Sequence, residues 1–594
     1  MSDLTALKAA TTLSHVAHIL DIKPGMLSFQ LYKKPKATLY KKFEIPKSHG
    51  GTREISAPEK DLKFIQHRLS LLLQRCVEEI NVASGHVETE KNPGIAHGFK
   101  RKHSIMSNAR AHQTRRYVFN VDLHDFFGTI HIGRIIGFFT KDKSFALHPK
   151  VALVLAQIAC HEGKLPQGSP CSPVISNLIG HMMDVQLVRL ATATGCTYTR
   201  YADDLTFSSN KQSFPSRVAK QTDEDKDIWT LGVGLKRIVK RSGFSFNDKK
   251  TRMQYKDSRQ EVTGLTVNRK INAHKDYRNT VRAMVHRLIT TGSFEYIYKS
   301  VDDKGVEAVK TEPGKTSELR GMLAFIDHVE QYHLKTHKDQ HPEVTPSRSR
   351  EKLFRQFLLY DRFYASSLPV VLCEGETDNI YLTHAIHRLA ADFPNLATKD
   401  LAGKVKLNVR LHKYLPKLTG RILHLKGGTG QLGLFVKDYA KHITTIFKAP
   451  GGQHPVIVLI DNDSGQQSVM KEVSKIVKGP ISLSADSIHV GGNLYVVLTP
   501  LNPPAIESYI EQCFDADALG AELQGKTFKH KNVDPEKNYG KAIFAKAVVR
   551  TNPTKINFDG FKPLLARIQS VITEHSSKIA AAASKTATLA APTT

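Results

Sequence analysis

The chain has 594 residues, 40% of them hydrophobic, enough for several separate cores and about three or four domains. Lysine and arginine outnumber aspartate and glutamate by 85 to 56, a formal charge of +29, which points to polyanionic partners held in a salt-dependent way. No run approaches 18 apolar residues and no basic amphipathic helix carries a bulky apolar face, which argues against membrane roles. Cys76, Cys160, Cys171, Cys196, Cys373 and Cys513 are scattered without a CxxC pair, against a zinc ribbon or disulfide framework and in keeping with a reducing cytosol.

Residues 1 to about 45 read as helical, then polar and basic; an acid near the start and no long apolar core exclude a signal peptide. Lys47 to Pro58 (KSHGGTREISAP) predicts a glycine-turned hairpin, and apolar spacing predicts a helix from about Leu62 to Ile80. Residues 92–116 crowd cations into a short polar stretch, a phosphate-contacting pattern. Tyr117-Val118-Phe119-Asn120-Val121-Asp122 reads as a buried strand that delivers a carboxylate at its end. Leu165-Pro166-Gln167-Gly168-Ser169-Pro170, followed by Cys171-Ser172-Pro173, marks a rigid loop opening a helix.

Thr199-Arg200-Tyr201-Ala202-Asp203-Asp204-Leu205-Thr206-Phe207 reads as two short strands around a tight turn. Two carboxylates in one turn repel, and either keeps its proton unless a cation lies between them. Mg2+, which takes carboxylates, waters and substrate phosphates, resolves that conflict. A lone Asp-Asp pair is ordinarily a solvated turn, but here Asp122 precedes it.

In this order, Asp122, LPQGSP and YADD resemble the palm of a reverse transcriptase. The resemblance implies a right-hand polymerase of fingers, palm and thumb. It also implies two Mg2+ ions per active site, held by Asp122 and Asp203 with Asp204 as third carboxylate. It places Lys47 and Arg53 at the triphosphate of the incoming dNTP, Gln167 against that nucleotide and Tyr201 near the primer-terminal sugar. It places Phe127 under the sugar, where a ring excludes a 2'-hydroxyl, although one of Phe126 and Phe127 is expected to be core. Lys250 matches the lysine of the N-x-x-K-T box in Asn247-Asp248-Lys249-Lys250-Thr251.

Asn108-Ala109-Arg110-Ala111-His112 matches an NAxxH element, and Val262-Thr263-Gly264 a VTG element, that together resemble retron reverse transcriptases rather than group II intron maturases. Asn108, His112, Val262, Thr263 and Gly264 are on that ground expected to contact nucleic acid. Residues 271–365 read as helices with basic faces, a thumb, with 335–352 as a loop.

At Leu368 the texture changes. Pro369-Val370-Val371-Leu372-Cys373-Glu374-Gly375 is a strand running into an acid, followed by a helix from about Asn379, and Val456-Ile457-Val458-Leu459-Ile460-Asp461-Asn462-Asp463 repeats the plan. Continuous apolar strands between helices imply a parallel sheet, with functional groups at the carboxyl ends of its strands. Glu374, Asp461 and Asp463 together resemble the Mg2+-binding acids of a TOPRIM domain, with Lys426-Gly427-Gly428-Thr429-Gly430 as its glycine turn. Glu507 in Ala505-Ile506-Glu507-Ser508-Tyr509 and Lys541 in Tyr539-Gly540-Lys541 resemble the metal-holding glutamate and phosphate-stabilising lysine of OLD-type nucleases.

The expected architecture is thus multidomain α+β and α/β. Fingers and palm cover 1–270, a thumb 271–365, a TOPRIM Rossmann-like domain 366–575 and a flexible tail 576–594. The resemblance implies a bacterial, cytoplasmic reverse transcriptase that copies its own structured noncoding RNA into branched RNA–DNA. Fused to it would be a nuclease with a DNA or RNA target, acting in antiphage defence, with homo-oligomerisation around the RNA–DNA possible. The competing readings are a TOPRIM scaffold without catalysis and a primase-polymerase.

Overall fold

The computed structural model describes residues 2–589 except 47–50, 87, 90–93, 224–226, 302–306, 338–347, 415–417 and 502–504. Two compact units divide the chain, one of Met1–Tyr277 with His328–Pro342, the other of Arg278–Asp327 with Glu343–Thr594. Among the described residues no helix is long and apolar enough to cross a membrane.

The first unit is built around a four-stranded antiparallel sheet in the order Thr197–Tyr201, Asp204–Ser209, Tyr117–Asp122, Arg252–Tyr255. Val118, Phe119, Val121, Leu205 and Phe207 are buried, so the two central strands are covered by protein on both faces. The helix Ser172–Thr194 runs out of the LPQGSP loop with proline in its first turn, and it stops at Gly195, whose φ of 67° is a left-handed cap. The expected hairpin is the pair Tyr40–Pro46 and Thr52–Pro58, and it leads into the helix Lys60–Ala83. Lys47 lies outside the described residues.

The second unit holds a five-stranded sheet in the order Arg410–Leu411, Val370–Leu372, Val456–Ile460, Leu494–Leu498, Ile488–Gly491. Its first four strands are parallel and the last is antiparallel. Every residue of Val370–Leu372, Val456–Ile460 and Leu494–Leu498 is buried, as strands covered on both faces require. The helix after the first of these strands is Glu376–Arg388.

Three readings of the sequence are corrected. Residues 271–365 are not all helical, because Glu295–Val301 and Glu307–Pro313 pair as an antiparallel hairpin between the helices Lys275–Thr291 and Thr316–His337. The stretch 335–352 is not a loop at its two ends, since the helix Thr316–His337 enters it and Arg348–Leu359 begins inside it; the remainder lies outside the described residues. The alanine-rich end is not a free tail from 576, for the helix Lys562–Leu589 continues through it, as alanine's helix propensity favours.

Candidate functional site

The antiparallel register sets the site. Asp122, the last residue of its strand, is the partner of Asp204 across the sheet, and the Leu123 amide donates to the Asp203 carbonyl at 3.0 Å. Three carboxylates therefore meet at one end of the sheet. Burial, then the charge of Asp122, raises Asp203 above the usual carboxylate range. Asp204 opens to solvent at the rim yet is flanked by protein and two acids, and burial, Asp203 and Asp122 push it up to about 7. Lys250 Nζ donates to Asp122 Oδ2 at 2.8 Å and Asn247 Nδ2 to Asp122 Oδ1 at 3.2 Å. The contact with Asp122 raises the Lys250 amine further. Arg53, exposed on the strand Thr52–Pro58, pulls Asp203 down through its charge.

The Tyr201–Asp204 turn is held from below. Ala202 has φ 56°, a left-handed conformation that a non-glycine residue adopts only when its surroundings impose it. Gly98 packs so tightly against it that a Cβ there would lie 2.5 Å from the Ala202 nitrogen. Arg200 is wholly enclosed, donating to Asp184 Oδ1 and Oδ2 at 2.8 and 2.7 Å and to the Ala202 carbonyl at 3.1 Å. Tyr198 adds a bond to the same Asp184 at 2.8 Å. Arg200 and Asp184 went unnoticed in the sequence. Only an arginine inside an apolar strand pattern hinted that a buried acid must exist.

Gln167 accepts the Ser56 amide at its carbonyl, 2.8 Å, which docks the LPQGSP loop on the hairpin that carries Arg53. Phe126 is buried against Phe244, whereas Phe127 is half-buried and faces Phe99, 6.1 Å between ring centres. Of the pair, Phe127 is therefore the ring at the surface. Tyr201 is half-buried beside Asp204.

Residues 45–268 match the family described as "Reverse transcriptase (RNA-dependent DNA polymerase)". Retron Mx65 reverse transcriptase of Myxococcus xanthus is 32% identical over 292 residues, covering 46% of this chain and 62% of the relative. Retron Mx162 reverse transcriptase of the same organism is 33% identical over 315 residues, 49% and 58% respectively. Retron Ec86 reverse transcriptase of Escherichia coli is 29% identical over 244 residues, 41% and 67%. The chain thus spans about six-tenths of the length of the first two of these relatives. A telomerase structure from Candida albicans shares 10% identity with a TM-score of 0.31, covering 54% of this chain and 63% of that one. The segment 45–268 forms a reverse transcriptase-like polymerase fold.

Within that polymerase fold, the NAxxH and VTG elements are neighbours. Thr263 Oγ1 donates to the carbonyl of Ile105, at the start of the helix Ile105–Ala111 that carries Asn108. Val262 is buried, and Thr263 and Gly264, both at positive φ, form the two-residue turn between Glu261–Val262 and Leu265–Thr266. Asn108 and His112 are fully buried, and their side chains are engaged by the protein's own strands. Thr199 donates its hydroxyl to Asn108 Oδ1 at 2.6 Å, so it must accept from His112 Nε2 at 2.7 Å. His112 Nδ1, 2.7 Å from Ser208 Oγ, is then the acceptor. Burial drives His112 down to about 3, so the ring is neutral, as this arrangement requires. The element pins the two strands of the Asp203-Asp204 turn together.

A second set of acids lies in the other unit, at the carboxyl ends of adjacent parallel strands. Glu374 and Asp461 follow the paired strands Val370–Leu372 and Val456–Ile460. The Gly428 amide, at φ 95°, donates to the Glu374 carbonyl, bringing the Lys426–Gly430 turn to the same edge. Asp378, buried, caps its own helix by accepting the Gly375 amide at 2.9 Å. Burial, Asp378 and Glu511 push Asp461 up to about 8, and burial also raises Glu374, Asp378 and Glu511. Glu511 is fully enclosed, its Oε2 3.1 Å from Lys541 Nζ, although neither oxygen receives a well-aligned hydrogen bond. Despite the burial that opposes its charge, Lys541 is held above the ordinary lysine value by Glu511. Asp463 caps the next turn through Gly465 and lies 3.4 Å from Lys531.

Glu507 is not gathered into this set. It is exposed, one residue before Ser508, whose backbone pairs with Asn462. Asp378 and Glu511 were missed in the sequence because the first reads as a capping residue and the second stands in a stretch without periodicity. Among the described residues no three His, Cys, Asp or Glu side chains are grouped so that they could hold a metal ion as they stand. The donor chemistry fits divalent cations in both places, since each holds carboxylates raised by burial and by one another, met by Lys250 in the first and by Lys541 and Lys531 in the second.

Proposed function

We propose that the chain is an RNA-directed DNA polymerase of the retron type, using its own structured RNA as template and producing branched RNA–DNA from dNTPs. The observation that carries this reading is the register that sets Asp122 opposite Asp204. Asp122, Asp203 and Asp204 would hold Mg2+, two ions per active site. Bound there, the ions supply acidification of the attacking hydroxyl and neutralisation of the leaving pyrophosphate. Lys250 and Asn247 fix the Asp122 carboxylate, Arg53 brings positive charge toward the triphosphate, and Phe127 presents its ring where a 2'-hydroxyl would sit. The protein is taken to work in the bacterial cytoplasm.

The test is DNA synthesis on poly(rA) primed with oligo(dT), in Mg2+ and dTTP. The full chain extends the primer, and Asp203→Asn, which removes a proposed metal ligand itself, loses at least the roughly 10- to 100-fold that losing a group behind the ligands costs. Undiminished synthesis by Asp203→Asn overturns the reading.

For the second unit we propose a TOPRIM-type, Mg2+-dependent nuclease that acts as a defence effector under restraint by the RNA–DNA product. The parallel sheet that sets Glu374 beside Asp461 supports it, with Asp378, Asp463 and Glu511 as further acids and Lys541 as the cation for the phosphate. Mg2+-dependent cleavage of labelled DNA or RNA, lost in Glu374→Ala, tests it. Tight binding of the RNA–DNA product without any cleavage would favour the scaffold reading.

A further inference from the structure

The N-terminal helices carry a surface that the polymerase chemistry does not use. Phe29 and Tyr32, on the wide π-helical turn Phe29–Lys33, are 53% and 54% exposed, and Phe64, on the helix Lys60–Ala83, is 44% exposed. Three partly exposed aromatic rings on neighbouring segments offer apolar faces that a partner could cover.

Two of the rings are held by polar groups, Tyr32 from another helix and Phe64 from an arginine one turn along its own. The Tyr32 hydroxyl donates to Gln157 Oε1 at 3.0 Å. The Arg68 guanidinium lies over the Phe64 ring, 5.2 Å from its centre, and is itself held by Asp21 at 3.0 Å. The two ring-bearing segments abut, since Gln30 donates to Asp61 at 3.4 Å and Lys34 meets Glu59 at 2.7 Å. These contacts satisfy the local acids and hold the rings in place before anything binds. Lys33, Lys36, Lys60 and Lys63 stand exposed among them, and among the described residues no ion pair joins them to a carboxylate.

We propose that this surface is a stacking platform for unpaired, single-stranded nucleic acid. Exposed rings receive bases on their faces whatever the sequence, and interleaved lysines follow the phosphates. A second copy of this chain is the less favoured occupant, because the surface is positive and would repel itself.

The test measures binding of a fluorescein-labelled 12-nucleotide oligo(U) RNA and of a 12-base-pair RNA duplex to the full chain by anisotropy. The buffer contains EDTA and no dNTP, so the outcome is independent of DNA synthesis and of the proposed function. The combined Phe29→Ala, Tyr32→Ala, Phe64→Ala variant is expected to weaken oligo(U) binding by more than roughly tenfold, leaving the duplex affinity and the salt slope unchanged. The combined Lys33→Ala, Lys36→Ala, Lys60→Ala, Lys63→Ala variant is expected to flatten the salt slope. Tyr32→Phe, which keeps the ring and drops the tie to Gln157, should retain most of the affinity. Unchanged oligo(U) binding in the aromatic variant overturns the proposal, as does an equal loss for duplex and single strand. A fall in oligomeric mass by light scattering without loss of RNA affinity assigns the surface to a second copy instead, and also overturns it.

Discussion

Arg200 and Asp184 form a two-pronged ion pair, at 2.8 and 2.7 Å, sealed beneath the turn that carries Asp203 and Asp204. Removing one partner strands a buried charge, which costs about 3–5 kcal/mol. Asp184→Asn and Arg200→Met are each expected to lower stability by that order in denaturant titration. The double variant Arg200→Met, Asp184→Leu should regain much of it, since both charges leave together. DNA synthesis should stay impaired in the double variant, because the Ala202 carbonyl and the left-handed turn have lost their donor. Full activity in the double variant would show that the pair is structural only.

His112 gives a prediction of opposite kind from the one its motif suggests. Its folded value of about 3 lies below the ordinary histidine value of about 6.5. Below pH 6.5 the unfolded chain takes up a proton that the folded ring refuses, so its stabilising contribution is present above that pH and is lost as the pH falls toward 3. His112→Ala leaves the Thr199 and Ser208 hydroxyls without their partner, at about 1–3 kcal/mol. It should also flatten the stability–pH curve between 6.5 and 3 relative to wild type, by urea titration. RNA affinity of the folded variant should be unchanged.

What could be read from the sequence and what could not divide along a physical line. The strand ending at Asp122, the turn at Asp203 and the apolar strands before Glu374 and Asp461 announce themselves, because period and turn chemistry are local. The register that sets Asp122 against Asp204 follows from sheet pairing, and the motif order stood in for it. The hairpin of Glu295–Val301 and Glu307–Pro313 stands between two basic helices, whose helical spacing masks its short β-prone Tyr296-Ile297-Tyr298 run. Asn108 and His112 look like surface polar groups, and only tertiary packing reveals their partners Thr199 and Ser208.

Asp461 sets the pH response of the second unit. Its folded value of about 8 lies above the ordinary aspartate value of about 3.9, so its contribution to stability is full below pH 4 and is lost as the pH rises through 8. In EDTA, the thermal midpoint of the wild-type protein should fall more steeply between about pH 4 and 8 than that of Asp461→Asn. Adding Mg2+ at pH 8 should raise the wild-type midpoint and leave the variant nearly unmoved, because the cation binds the ionised acid. Calorimetry at several pH values measures both effects.

Glu507 and Glu511 separate a motif-based assignment from a geometric one. Glu511 is enclosed with Lys541 at 3.1 Å and contributes its charge to Asp461, whereas Glu507 stands in solvent. If the buried acid supports the reaction centre, Glu511→Gln should cut Mg2+-dependent nucleic-acid cleavage by about 10- to 100-fold, the usual effect of losing a group behind a metal's ligands. Lys541, freed of its counter-charge, should then settle lower, shifting the pH–rate profile in the same variant. Glu507→Gln should keep wild-type cleavage and wild-type pH dependence. The converse result, with Glu507→Gln inactive and Glu511→Gln active, would mean that the loop before Ser508 folds inward when substrate binds and that Glu511 serves to anchor Lys541 alone.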